Sequence, residues 1–209
     1  ASDVYQRQGA DGRLGEGNTL NRNSPVKVDD SGVSGSGWSV ISAGVATSCG
    51  IRNDGSAWCW GDGTSGQLGD GGTSSSNVPV QIDDSGVGVG SQWVRISTAY
   101  QHSCAQRDDG SAWCWGTGSD GQLGDSGTSS SNVPVQVASG SSVWIDVQVG
   151  NFHSCALRSS DGGIWCWGQG SDGKLGNNSV ANSSVPVEVD DSGIGGGSTR
   201  IIVGAAPTG

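Results

Sequence analysis

Basic residues are scarce in this chain. Ten Lys and Arg stand against twenty Asp and Glu, for a formal net charge of −10, and the ten are scattered. A phosphate backbone is held by clustered cations, so nucleic acid and anionic membrane surfaces are not expected partners. Long apolar runs are missing as well. No stretch approaches the roughly 20 residues of a membrane span, so membrane insertion is not expected. No Leu, Ala, Glu and Lys run carries a helical period and methionine is absent, which leaves all-β as the expected class. Two common catalytic signatures, a P-loop and H-E-x-x-H, are also lacking. The chain opens at Ala1 with no signal peptide, as expected of a mature processed product or a fragment.

Glycine and tryptophan are what the chain has instead. Apolar residues make up 33% while 39 of 209 residues are Gly. Disordered segments are poor in aromatics because they bury nothing, and nine Trp argue against disorder here. The glycines are therefore read as tight turns between short strands.

Four landmarks repeat in register at spacings of 51 to 55 residues. Trp38, Trp93 and Trp144 each open a strand-like segment. Cys-bearing hairpins follow, SCGIRNDGSAWCWG, SCAQRDDGSAWCWG and SCALRSSDGGIWCWG. G-x-L-G recurs at Gly12, Gly66, Gly121 and Gly173, and P-V-x-[VI] at Pro25, Pro79, Pro134 and Pro186. A fixed period of this kind marks a repeat architecture. The expectation is one repeat domain over 1–209, with a partial unit at 1–37, units at 38–92, 93–143 and 144–199, and the start of another at 200–209. Val4-Tyr5-Gln6 aligns with Trp58-Cys59-Trp60, and Ile201-Ile202-Val203-Gly204 with an opening strand. The two ends thus nearly complete a fourth unit, either within one chain or with a neighbouring copy.

Each unit reads as four strands. Asp54-Gly55 and Asp109-Gly110 lie between β runs, a strong hairpin signal because Gly takes the positive φ of the turn. Proline in the last strand suits an edge position. Four short antiparallel strands per unit match a propeller blade.

The series H-S-C-A-L, D-G-x-[VW]-x-C-W-G, G-Q-L-G-D and P-V-x-V resembles the repeat of the regulator-of-chromosome-condensation family. It is similar in particular to Cys-containing extracellular variants such as mastigoneme-like proteins. The resemblance covers almost the whole chain and implies a propeller-like array of about four blades, where family members typically close seven. The family's eponymous nucleotide exchange on a small GTPase belongs to a nuclear, reduced setting, and the paired cysteines here point elsewhere.

With a three-residue turn at Asn53-Asp54-Gly55, Arg52 faces Ser56 and Cys49 falls opposite Cys59. Directly opposed residues have Cα atoms about 4.5–5.5 Å apart, within reach of a disulfide. The expected pairs are Cys49–Cys59, Cys104–Cys114 and Cys155–Cys166, the last with one extra residue absorbed by a longer turn. Metal ligation would need C-x2-C spacing or converging His and Cys, and neither occurs. Disulfides place the chain outside the cytosol. Strand alternation puts Trp58 and Trp60 on the face opposite the Cys59 sulfur, and likewise Trp113 with Trp115 and Trp165 with Trp167. Their repetition in every unit is read as packing between blades; an aromatic cage for sugars or quaternary amines is the competing reading.

Candidates for chemistry are few. His102 and His153 share one repeat position with Thr47, which points to packing or a hydrogen bond and not to catalysis; no catalytic residue and no cofactor is expected. Asp29-Asp30, Asp83-Asp84 and Asp190-Asp191 each precede Ser-Gly. They are read as solvated loops, with Ca²⁺ binding as the alternative. Thr73, Thr128 and the sequons at Asn177 and Asn182 are candidate glycan acceptors. The expected function is a non-catalytic extracellular structural or adhesive module, a building block of a surface filament that self-associates head to tail. The alternative is a secreted propeller that binds or inhibits another extracellular protein through its loop face.

Overall fold

The computed structural model describes residues 10–33, 37–138 and 143–192. The expectations on Val4–Gln6 and Ile201–Gly204, and with them the fourth unit shared by the two ends, lie outside these residues.

Among the described residues, twelve strands form three four-stranded antiparallel sheets. The first contains β1 (Trp38–Ala43), β2 (Thr47–Arg52), β3 (Ala57–Gly61) and β4 (Ser76–Gln81). The second contains β5 (Trp93–Thr98), β6 (His102–Arg107), β7 (Ala112–Gly116) and β8 (Ser131–Gln136). The third contains β9 (Trp144–Val149), β10 (His153–Arg158), β11 (Ile164–Gly168) and β12 (Ser183–Glu188). Within each sheet, spatial order follows chain order, so every connection is an antiparallel return, short between the first three strands and long before the fourth. Among the described residues there is no α-helix, only single 3-10 turns at Ala10–Gly12 and Ser171–Gly173.

The hairpin at the centre of each sheet follows from its turn. Arg52 N–H donates to Ser56 O at 2.9 Å and Gly55 N–H to Arg52 O at 3.0 Å, while Gly55 takes φ +80°, a conformation that costs other residues roughly 1–2 kcal/mol. That turn sets Cys49 opposite Cys59, and the same register recurs at Cys104 and Cys114. In the third sheet the Ser-Ser-Asp-Gly-Gly turn takes up the extra residue and Cys155 still faces Cys166. All three pairs are bonded, leaving no free cysteine. Pro79, Pro134 and Pro186 lie on β4, β8 and β12, the outermost strand of each sheet, where a missing N–H breaks no ladder.

The sheets stack face to back. β5 packs on β1 and β2, and β9 packs on β5 and β6, so the opening strands run side by side about a common axis. Alternation decides what meets at each junction. The disulfide side of the first sheet (Cys49, Ile51, Ala57 and Cys59) forms one core with Trp93, Ile96 and Trp115 of the second. Cys104, Ala112 and Cys114 form another with Trp144, Val147 and Trp167 of the third. This is the blade packing of a β-propeller.

Candidate functional site

The most regular polar feature lies between sheets, not within them. The carbonyl of the residue after the first glycine of G-x-L-G (Arg13, Gln67 and Gln122) accepts two hydrogen bonds from the following sheet. One comes from the indole Nε1–H of Trp60, Trp115 and Trp167, at 3.0, 2.9 and 2.9 Å. The other comes from the hydroxyl of Ser48, Ser103 and Ser154, at 2.9, 3.0 and 2.9 Å. A buried carbonyl has two lone pairs to satisfy, and each is met by a side chain that the alternation of its own strand aims back toward the preceding unit. The leucine of the motif is fully buried beside this contact at Leu68 and Leu123 and half-buried at Leu14.

The last glycine of the motif is required by the same geometry. Gly69 takes φ +73°, and a Cβ built there would lie 2.7 Å from Trp115 Nε1. Gly15 and Gly124 repeat the arrangement against Trp60 and Trp167. Gly69→Ala is therefore expected to destabilise by roughly 2 kcal/mol or more, from the left-handed backbone and the indole contact together. Gly127→Ala, whose Cβ would come no closer than 3.4 Å to a flexible carboxylate, should stay within about 0.5 kcal/mol. Chemical denaturation of the two variants checks the difference.

The two tryptophans of each W-C-W differ in role. Trp60, Trp115 and Trp167 reach the preceding unit. Trp58 and Trp113 instead donate Nε1–H to Ser56 and Ser111 Oγ of their own hairpins, both at 2.9 Å. In the third hairpin Gly163 replaces that serine, and Trp165 Nε1 has no partner; Trp165 lies under the Arg158 guanidinium, 4.3 Å from its Cζ to the ring centroid.

The other candidate residues separate cleanly. His102 is fully buried, with Nε2 2.9 Å from Ser154 Oγ, and burial followed by the neighbouring His153 pushes its pKa down to about 4. A histidine walled off in this way has no access to substrate. Asp29, Asp83 and Asp190 accept from the N–H of Ser31, Ser85 and Ser192, at 3.2, 3.1 and 2.9 Å. The serine hydroxyls, and after them these turn-forming N–H groups, hold all three carboxyls below the usual range. Among the described residues, no three His, Cys, Asp or Glu gather as metal ligands.

Thr73 and Thr128 are exposed on the long loops before β4 and β8. Asn177 is half-buried, and Asn182 is exposed but bonded on both sides. Its Oδ1 accepts from Gly170 N–H at 3.1 Å and its Nδ2 donates to Asp120 at 3.0 Å. This is the place that Ser75 and Ser130 fill in the other units, where they accept from Gly63 and Gly118 N–H.

One grouping is absent from the repeat pattern. Tyr100 and Phe152 meet edge to face with ring centroids 6.4 Å apart, and they remain 41% and 38% exposed. They sit in the β5–β6 and β9–β10 turns, at the end of the array that also carries the long loops. Their repeat positions differ by one residue: Tyr100 corresponds to Asn151, and Phe152 to Gln101.

Comparison with known proteins fits this architecture. The regulator of chromosome condensation (RCC1) repeat model matches residues 54–106, 109–157 and 161–204, and a second model of the same repeat matches 38–67, 93–122 and 144–174. The E3 ubiquitin-protein ligase HERC2 of Mus musculus is 32% identical over 184 residues, 84% of this chain and 4% of that protein. The ultraviolet-B receptor UVR8 of Arabidopsis thaliana is 28% identical over 187 residues, covering 89% of this chain and 41% of the receptor. The chain thus spans less than half the length of these relatives. Among solved structures, human WBSCR16 superposes with a TM-score of 0.67 at 21% identity, over 83% of this chain and 41% of its own. Prp20p of Saccharomyces cerevisiae, described with its binding to Gsp1p and histones, gives 0.66 at 16% identity, over 75% and 39%. At these identities the likeness speaks to fold alone. On its repeats, its sheets and its relatives, the chain belongs to the RCC1 repeat family.

Proposed function

We propose that this chain is a non-catalytic extracellular structural or adhesive module that associates head to tail with further copies. The observation that carries the reading is the difference, among the described residues, between the outer faces of the first and third sheets. Ile41 on β1 is 64% exposed, while Ile96 and Val147, its counterparts on β5 and β9, are 6% and 1% exposed inside junctions. On the disulfide side of the third sheet Leu157 is half-buried and Ile164 41% exposed, where Ile51 and Ala57 of the first sheet are sealed. A donor-type edge and an acceptor-type face on one molecule give a heterologous contact, and such contacts propagate when the rotation does not close. The three disulfides support an oxidising, extracellular setting, in which exposed Thr73 and Thr128 suit glycan attachment better than Asn182, whose amide is already engaged.

Light scattering across concentration, with electron microscopy of the same material, tests the association. Mass growing with concentration is expected, and Ile164→Arg should abolish it. A compact monomer of about 21 kDa at every concentration would overturn the reading.

A second reading is favoured by the Tyr100–Phe152 pair: capture of another extracellular protein at the loop end. Exposed aromatic clusters are typical anchors of protein interfaces, and yeast Prp20p, of the same fold, binds proteins. Tyr100→Ser with Phe152→Ser should then abolish binding while leaving the association and the melting temperature unchanged.

A further inference from the structure

Residues 82–92 carry the chain from β4 of the first sheet to β5 of the second. This segment and both sheets that it joins lie within the described residues. Its flanks are fixed, with Ile82, Val87 and the following Trp93 buried in the core of the first junction. Between Val87 and Trp93 stands a tip of Gly88, Val89 and Gly90, all exposed, with Val89 at 103%. Gly90 takes φ +97°, and a Cβ built at Gly88 or Gly90 would meet nothing within 4 Å. Among the described residues, no acceptor takes the backbone N–H of Gly88, Val89, Gly90 or Ser91. The carbonyls on either side are held instead: the buried Arg107 guanidinium donates to Gly88 O and Ser91 O.

We propose that Val89–Gly90 is a limited-proteolysis site for a serine protease whose primary pocket takes a small aliphatic side chain, and that the cut leaves a two-piece protein. Such an enzyme needs exposed backbone that can be drawn into an extended conformation, and loop tips of small residues supply it. Val89 carries the one side chain at this tip, and a small apolar pocket selects it. Other exposed aliphatic residues lack a free tip. Ile41 lies within β1, and Val45 donates its N–H to Ala99 O. Val180 is followed by Ala181, bonded to Ser179, and by Asn182, bonded on both sides. Cleavage adds water across the peptide bond, leaving a carboxylate on Val89 and an amine on Gly90. No disulfide spans the cut, since Cys49–Cys59 lies before it and the other two pairs after it. The pieces stay joined through the first junction. There Trp115 and Ser103 donate to Gln67 O, and Thr98 N–H donates to Ser42 Oγ.

The site does not depend on the proposed self-association. In the test, the intact chain is treated with pancreatic elastase at low ratio under native conditions. Timed samples are read by labelling new amino termini and by mass spectrometry. Among cuts between residues 10 and 192, a new terminus at Gly90 is expected to form at least tenfold faster than any other. Val89→Asp, which offers a carboxylate to the apolar pocket, should slow this cut at least tenfold and leave the melting temperature unchanged. The nicked protein should elute with the intact one in gel filtration, yet separate into two chains in denaturant without reductant. A faster cut elsewhere between those residues, no cut after Val89, or an unchanged rate in Val89→Asp would overturn the proposed site. Separation of the pieces in native buffer would overturn the two-piece product.

Discussion

Trp115→Ala is expected to destabilise the chain by about 4 kcal/mol, near the upper range for removing a buried aromatic. For a chain of this size that corresponds to a fall in melting temperature of roughly 8–16 °C. Trp115 is fully buried and fills the junction between the first two sheets against Cys49, Cys59 and Leu68, so the cavity would open at the centre of a core that cannot collapse without moving a sheet. Its Nε1–H also donates to Gln67 O. That carbonyl would not be orphaned, because Ser103 Oγ still donates to it at 3.0 Å. Trp115→Phe should accordingly cost only about 1–2 kcal/mol, mainly one hydrogen bond and some volume. Adding Ser103→Ala to Trp115→Phe would leave a buried carbonyl unpaired, and the double variant should lose more than the sum of the singles. Trp113, half-buried and bonded within its own hairpin, provides the contrast: its alanine variant should lose less than half as much. Urea denaturation with a common m-value decides; equal losses at Trp113 and Trp115 would refute the assigned division of labour.

That division shows where sequence reading reached and where it stopped. The cross-strand pairing of Cys49 with Cys59 was legible because turn length and strand period are local and together fix the register. The opposition of sulfur and indole faces followed from the same period. Which indole of each W-C-W reaches back to the preceding unit was not legible, since Trp58 and Trp60 share a face and differ only in their position along the strand. The bonds from Ser103 and Trp115 to Gln67 join residues 36 and 48 apart, a separation at which no local periodicity operates. A signal was nevertheless present: the serine before each first cysteine and both glycines of G-x-L-G hold constant across units. The Tyr100–Phe152 contact was hidden for a different reason. Those residues occupy non-equivalent repeat positions, so reading the units in register separates side chains that neighbouring turns bring together.

Acidification from pH 6.5 to pH 4 is expected to remove roughly 3 kcal/mol of stability through a single side chain, His102. Its ring is sealed at the junction of the second and third sheets. Ser154 gives its hydroxyl proton to Gln122 O, so the 2.9 Å contact between His102 and Ser154 requires Nε2 to be the donor. Nδ1 faces no partner at all. A proton added there would be a buried charge without a counter-ion, close to His153, and this pushes the pKa down to about 4. A folded-state pKa below the unfolded value means that the unfolded chain binds more protons throughout the interval between them. The contribution is therefore intact above about pH 6.5 and falls steadily until the folded pKa is passed. His153, less buried, is shifted in the same direction and adds to the slope. The carboxylates whose pKa is lowered do not compete in this window. Asp29, Asp54, Asp83 and Asp161 are held below the usual carboxylate range, Asp161 at about 2 beside Arg158, so their contributions are lost mainly at lower pH. His102→Thr is the informative variant, because Thr47 occupies this position in the first sheet and donates to Asp62 O at 2.9 Å. It should be less stable than the parent at pH 7, by about 1–2 kcal/mol for the lost ring. Between pH 6.5 and 4 its stability should be much flatter, so that the two curves converge and cross. An unchanged slope in the variant would mean that the acid sensitivity arises elsewhere in the chain.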